Sequence, residues 1–117
     1  MSSGWCYITH TLWFITDNDL YLLYNLQSVG GLKIYNTRLT RLDGFTNLNQ
    51  INGVLELKSN SYLSNIMVLN NVDPDGITEL ILQSNFSLYS CSNSTSCAFM
   101  QTSKPRTISN NQGDCNN

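Results

Sequence analysis

LKIYNTRLTRLDGFTNLNQINGVLELKSNSYLSNIMVLNNV, residues 32–72, writes one pattern twice. The first copy sets apolar residues at Leu32, Ile34, Leu39, Leu42, Phe45, Leu48 and Ile51 around Asn36; the second sets Leu55, Leu57, Leu63, Ile66, Leu69 and Val72 around Asn60. Each copy opens by alternating and continues in threes. Alternation through Leu55-Glu56-Leu57 places both leucines on one side of an extended segment and Glu56 on the other. A step of three repeats the same facing in a tight 3₁₀-like path or around the corners of a polygon. Gly31 and Gly53 stand just ahead of the two openings and predict sharp turns in left-handed backbone, which glycine adopts at little cost.

Working outward, an earlier copy reads Trp13, Ile15, Asn18, Leu20, Leu23, Leu26 and Val29 before Gly30 and Gly31, and a later one begins Leu80, Leu82, Asn85, Leu88 after a turn from Asp73 to Gly76. Asn36, Asn60, Asn85 and Asn110 then recur at intervals of 24, 25 and 25. A period of this size is the signature of a solenoid. The chain holds sixteen asparagines, and an amide that both donates and accepts can satisfy the buried backbone of neighbouring windings if the side chains stack as a ladder. One winding cannot fold alone, because the burial of about seven aliphatic side chains returns less than the ordering of about 25 residues costs. The windings must therefore cover one another. The predicted fold is mainly β, a short parallel β-solenoid with small helical or 3₁₀ turns.

With 117 residues, a net charge of -2 and only 12% charged residues, the chain lacks the clustered Lys and Arg that displace counterions from nucleic acid. No segment is long enough to span a membrane, so membrane insertion is not expected. Met1 to Thr16 lacks the basic start and unbroken apolar core of a secretory signal, since Asp17 and Asp19 soon follow Leu12 to Ile15.

Chemistry-bearing residues are sparse. His10 is the one histidine, and no Ser or Cys lies in a nucleophile motif with a base nearby. Asp17 with Asp19, and Asp73 with Asp75 and Gly76, fall short of a calcium loop and read as turn and cap residues. CxxC metal spacing is absent. No catalytic residue, metal site or cofactor is expected.

The run Leu39-x-x-Leu42-Asp43-Gly44-Phe45-x-Asn47-Leu48-x-x-Ile51-x-Gly53-x-Leu55-x-Leu57-x-x-Asn60-x-x-Leu63 resembles the receptor L-domain, the leucine-rich right-handed solenoid of growth-factor receptor ectodomains, fungal wall proteins and bacterial surface proteins. Leu88-x-x-Cys91, Cys97 with Phe99 and Met100, Thr107-Ile108-Ser109-Asn110-Asn111 and Cys115-Asn116 are similar to the terminal cap of bacterial secreted members, with Asp114 standing between Gly113 and Cys115. The resemblance implies a right-handed coil, an extracellular or cell-surface location with the signal upstream of Met1 or lost, and three parts: an atypical leader over 1–11, repeats over 12–90 and a cysteine-containing cap over 91–117. In that oxidising setting a disulfide among Cys91, Cys97 and Cys115 is expected, any pair of the three, with Cys6 left over.

The outward strand positions form two files by this period: Phe14, Lys33, Glu56 and Ile81, and Thr16, Tyr35, Lys58 and Gln83. Lys33 beside Glu56 makes a favourable cross-strand pair of roughly 0.2–1 kcal/mol, and Tyr35 between lysines is an amphipathic residue of the kind interfaces use. These residues are the candidate binding face of a noncatalytic recognition or adhesion module for a protein or glycan; the bland reading is a solvated sheet face. The alternative function is a structural spacer, or a fragment of a longer repeat protein, with no ligand of its own. The strand near Trp13 has no evident cap, so self-association through that edge is also expected. Of two glycosylation sequons, Asn85-Phe86-Ser87 and Asn93-Ser94-Thr95, the first falls on the predicted ladder and is expected to be inaccessible once folded.

Overall fold

The computed structural model describes residues 7–14, 24–89 and 94–113, with the side chains of residues 7–10, 14 and 94 excepted. It is mainly β, an open, parallel sheet of six strands with a few short helical pieces. Strands β1 (Tyr7–Phe14), β2 (Ser28–Tyr35), β4 (Val54–Lys58), β5 (Glu79–Gln83) and β6 (Arg106–Ser109) lie side by side in that order, and the two-residue β3 (Gln50–Ile51) pairs with β2. One row of register partners runs Trp13, Lys33, Glu56, Ile81, Thr107, so the chain returns to the sheet after 20, 23, 25 and 26 residues.

The alternation and the triplets divide the work as their spacing predicts. Leu32, Leu55 and Leu80 form one buried file across the sheet, and Ile34, Leu57, Leu82 and Ile108 form the next. Between strands, 3₁₀ turns at Asp43–Phe45 and Met67–Asn71 bury Phe45 and Leu69, and the N–H groups of Phe45, Leu48, Leu69 and Val72 each donate to a carbonyl three residues back. Leu42, Leu48, Ile51, Ile66 and Val72 complete this wall of the core, so the every-third spacing marks a path that turns inward once per step.

The intervals repeat bond for bond. Asn36 N donates to Lys58 O, Ser59 N to Gln83 O and Ser84 N to Ser109 O, at 3.1, 3.0 and 3.0 Å. At each of these strand exits the backbone is left-handed, with φ of 56° at Asn36, 61° at Ser59, 60° at Ser84 and 60° at Asn110. Asn is among the side chains that tolerate this region, and Ser bears more of the Cβ strain.

This geometry moves two expectations by one residue. Asn36 and Asn110 are the left-handed corners, and the inward rung is the residue after each corner: Thr37, Asn60, Asn85 and Asn111. All four lie three residues past the last inward aliphatic of their strands, Ile34, Leu57, Leu82 and Ile108. The glycines also act differently, since no glycine among the described residues has positive φ. Gly53 is needed for close approach: a Cβ there would lie 2.0 Å from the Gly30 carbonyl oxygen, and one at Gly76 would lie 2.5 Å from the Ile51 oxygen.

The far end is closed by α1 (Ser94–Met100), which buries Phe99 and sets the Thr95 hydroxyl 2.7 Å from the Leu69 and Val72 carbonyl oxygens. Lys104 donates to the Pro74 and Asp75 carbonyls and lies over the Phe99 ring. Within the segment 91–117, β6 continues the sheet beyond β5, and within 1–11 the residues from Tyr7 onward already belong to β1. Cys97 is half-buried on α1, whereas Cys6, Cys91 and Cys115 lie outside the described residues. Asn85 is fully buried, as its place on the ladder requires, and Asn93 lies outside the described residues. No helix among the described residues is long and apolar enough to cross a membrane.

Candidate functional site

The outward face of the sheet is built by the residues that alternate with the buried files. Its central file reads Trp13, Lys33, Glu56, Ile81, Thr107, and the next toward the strand exits reads Tyr35, Lys58, Gln83, Ser109. Lys33, Tyr35, Glu56, Lys58, Ile81 and Gln83 thus stand in the two files expected of them. Phe14 does not. It pairs with Ile34, in the file of Leu57 and Leu82, and Trp13 holds the place next to Lys33. The cause lies in β1, where the register shifts between Ile8 and Thr11 and the interval to β2 shrinks to 20; a slip of one residue moves a side chain to the opposite face of a strand. Trp13 therefore also leaves the inward series in which its spacing had placed it, and Ile15 and Thr16 lie outside the described residues.

Four side chains of this face form one cluster. The Lys33 ammonium sits 4.5 Å from the centroid of the Trp13 ring and 3.8 Å from a Glu56 carboxylate oxygen. Trp13 and Tyr35 meet edge to face, with centroids 5.2 Å apart and planes at 87°, a favoured aromatic geometry. Burial pushes the Tyr35 phenol up from its ordinary 10.0 to about 12, with hydrogen bonding to the Glu56 carboxylate and then its negative charge adding to the effect. Glu56 itself is only 9% exposed, while 55% of Trp13 remains open. The cluster couples a shielded carboxylate to an exposed indole through one ammonium and one phenol.

The rest of the face is polar and near neutral. Lys58 is exposed, Ile81 and Gln83 are half-buried, and the Gln83 amide donates to Ser109 Oγ at 3.3 Å. Among the described residues no three His, Cys, Asp or Glu side chains converge as a metal site would require. The Tyr35 environment is measurable: in a spectrophotometric titration one phenol is expected to ionise near pH 12, and Glu56→Gln is expected to bring that transition part of the way back toward 10 by removing the negative charge, while burial, the larger cause, stays. An unchanged transition in Glu56→Gln would mean that the charge of Glu56 adds nothing to the effect of burial.

Trp13 is the site residue that spacing alone missed. Leu12-Trp13-Phe14-Ile15 is apolar at four successive positions, so alternation carries no parity there; aligning Leu12 with Leu32 would have found it. Comparison with protein-family models, with curated proteins and with solved structures finds no match.

Proposed function

We propose that this chain is a right-handed parallel β-solenoid of the leucine-rich, receptor L-domain kind, and that it serves as a noncatalytic recognition or adhesion module of an exported or cell-surface protein. The observation that carries this reading is the pair of outward files held at fixed strand spacing over a core of aliphatic files and amide rungs. Such a surface is rigid before it meets a ligand, and preorganisation lowers the entropic cost of binding. Tyr35, Lys58 and Gln83 present hydroxyl, ammonium and amide groups in a row, beside the exposed ring of Trp13. A protein or a glycan is the class of ligand such a mixed face takes.

The test is a binding measurement on that face. The intact chain, immobilised, is presented with solubilised surface proteins and polysaccharides, and the affinity of a retained ligand is compared between wild type and the Tyr35→Ala/Lys58→Ala double variant. Loss of two contacts from an interface centre is expected to weaken binding about tenfold or more. An unchanged affinity, with the variant's circular dichroism intact, would remove the sheet face from the function.

A further inference from the structure

The size, charge and aromatic content of the face distinguish between the two ligand classes. Five strands at about 4.8 Å span about 20 Å, and three outward positions along each cover about 14 Å, a projected area of about 300 Å². Doubled for side-chain relief, that remains below the roughly 800 Å² that each partner buries in a stable protein complex of standard size. Lys33 and Lys58 are balanced by Glu56 and Glu79 on the same face, so no net field selects a charged ligand.

The groups that remain suit a sugar. The Trp13 indole is steadied by Lys33 at 4.5 Å and by the Tyr35 ring at 5.2 Å, yet is 55% exposed. A flat, fixed, open ring offers its π surface to the C–H bonds of a pyranose. Beside it Tyr35, Lys58, Gln83 and Ser109 follow one another at strand spacing, with phenol, ammonium, amide and hydroxyl groups able to meet hydroxyls along an extended chain.

We propose that the outward sheet face binds a neutral oligosaccharide, one pyranose ring stacked on Trp13 and its neighbours hydrogen-bonded along the Tyr35, Lys58, Gln83, Ser109 file. This inference rests on the sheet-face reading above and narrows its ligand. Trp13 is the anchor, and the Lys33 and Glu56 pair acts as a positioning device for the two rings.

The experiment titrates the ¹⁵N-labelled chain with cellotetraose, chitotetraose, xylotetraose and maltotetraose at up to millimolar concentrations, with a sulfated heparin tetrasaccharide as the charged arm. The Trp13 indole N–H, identified by its loss in Trp13→Phe, is expected to shift saturably with at least one neutral sugar. Trp13→Ala is expected to weaken that binding about tenfold or more, Trp13→Phe less, and Lys58→Ala or Gln83→Ala about threefold each, the effect of one lost hydrogen bond. Absence of a saturable shift with all four neutral sugars overturns the proposal, as does a response to the sulfated sugar alone. If a retained protein partner is weakened by Tyr35→Ala/Lys58→Ala while no sugar shifts Trp13, the oligosaccharide assignment fails and the sheet-face function survives. If neither responds, both fail.

Discussion

Gly53→Ala is expected to destabilise the fold by about 3 kcal/mol or more. The added Cβ would sit 2.0 Å from the carbonyl oxygen of Gly30, a backbone atom that cannot rotate away. Relief requires the two backbones to separate, but both are fixed in the same region: Asn52 N donates to Val29 O at 2.8 Å, and Thr78 N donates to Gly53 O at 2.9 Å. Moving the segment therefore stretches bonds to the neighbours on both sides. Against a typical total of about 5–15 kcal/mol, the loss would appear in urea unfolding as a much lower midpoint with little change in slope. Gly76→Ala, whose Cβ would lie 2.5 Å from the Ile51 oxygen and 3.0 Å from the Asn52 side chain, is expected to follow the same course. A drop of less than 1 kcal/mol in Gly53→Ala would mean that the backbones can part at that corner.

The reason those glycines are present separates what the chain states openly from what it conceals. Files such as Leu32, Leu55, Leu80 and the triplets Leu42, Phe45, Leu48 are legible because apolar spacing alone encodes them. The glycines are visible as letters, but their role depends on a distance between segments 23 residues apart for Gly53 and 25 for Gly76, which no local rule contains. Left-handed φ, the local explanation, belongs to Asn36, Ser59, Ser84 and Asn110. The outward sheet face is legible where strands alternate, from Lys33 through Gln83, and is lost at β1, where an unbroken apolar run and a register shift remove the parity signal. The resulting error exchanged Phe14 for Trp13, the most exposed member of the cluster.

Asn85→Ala is expected to cost about 3–5 kcal/mol. Its amide nitrogen donates to Leu57 O at 2.8 Å and to Asn111 Oδ1 at 3.1 Å, and its oxygen accepts from Asn60 N at 3.1 Å and Asn60 Nδ2 at 3.2 Å. With Asn85 fully buried, truncation leaves a backbone carbonyl and a backbone N–H without that partner in addition to a small void. Asn111 carries the same role next to Asn85, donating to Leu82 O at 2.7 Å, but is half-buried. Water can reach part of what it leaves, so Asn111→Ala is expected to cost about 1–2 kcal/mol. Asn60 and Asn85 share bonds, so their double alanine variant is expected to lose less than the sum of the single losses, by about 0.5–3 kcal/mol. Asn85→Asp gives the sharper comparison. It keeps the accepting oxygen and replaces the donor NH2 with a second oxygen, so an anion would face the Leu57 carbonyl in a site without solvent. A loss at neutral pH at least as large as that of Asn85→Ala, shrinking as the solution is acidified and the carboxyl gains a proton, would show that the rung works through its donor. Equal, small losses for Asn85 and Asn111 would mean that the aliphatic files alone hold the successive strands together.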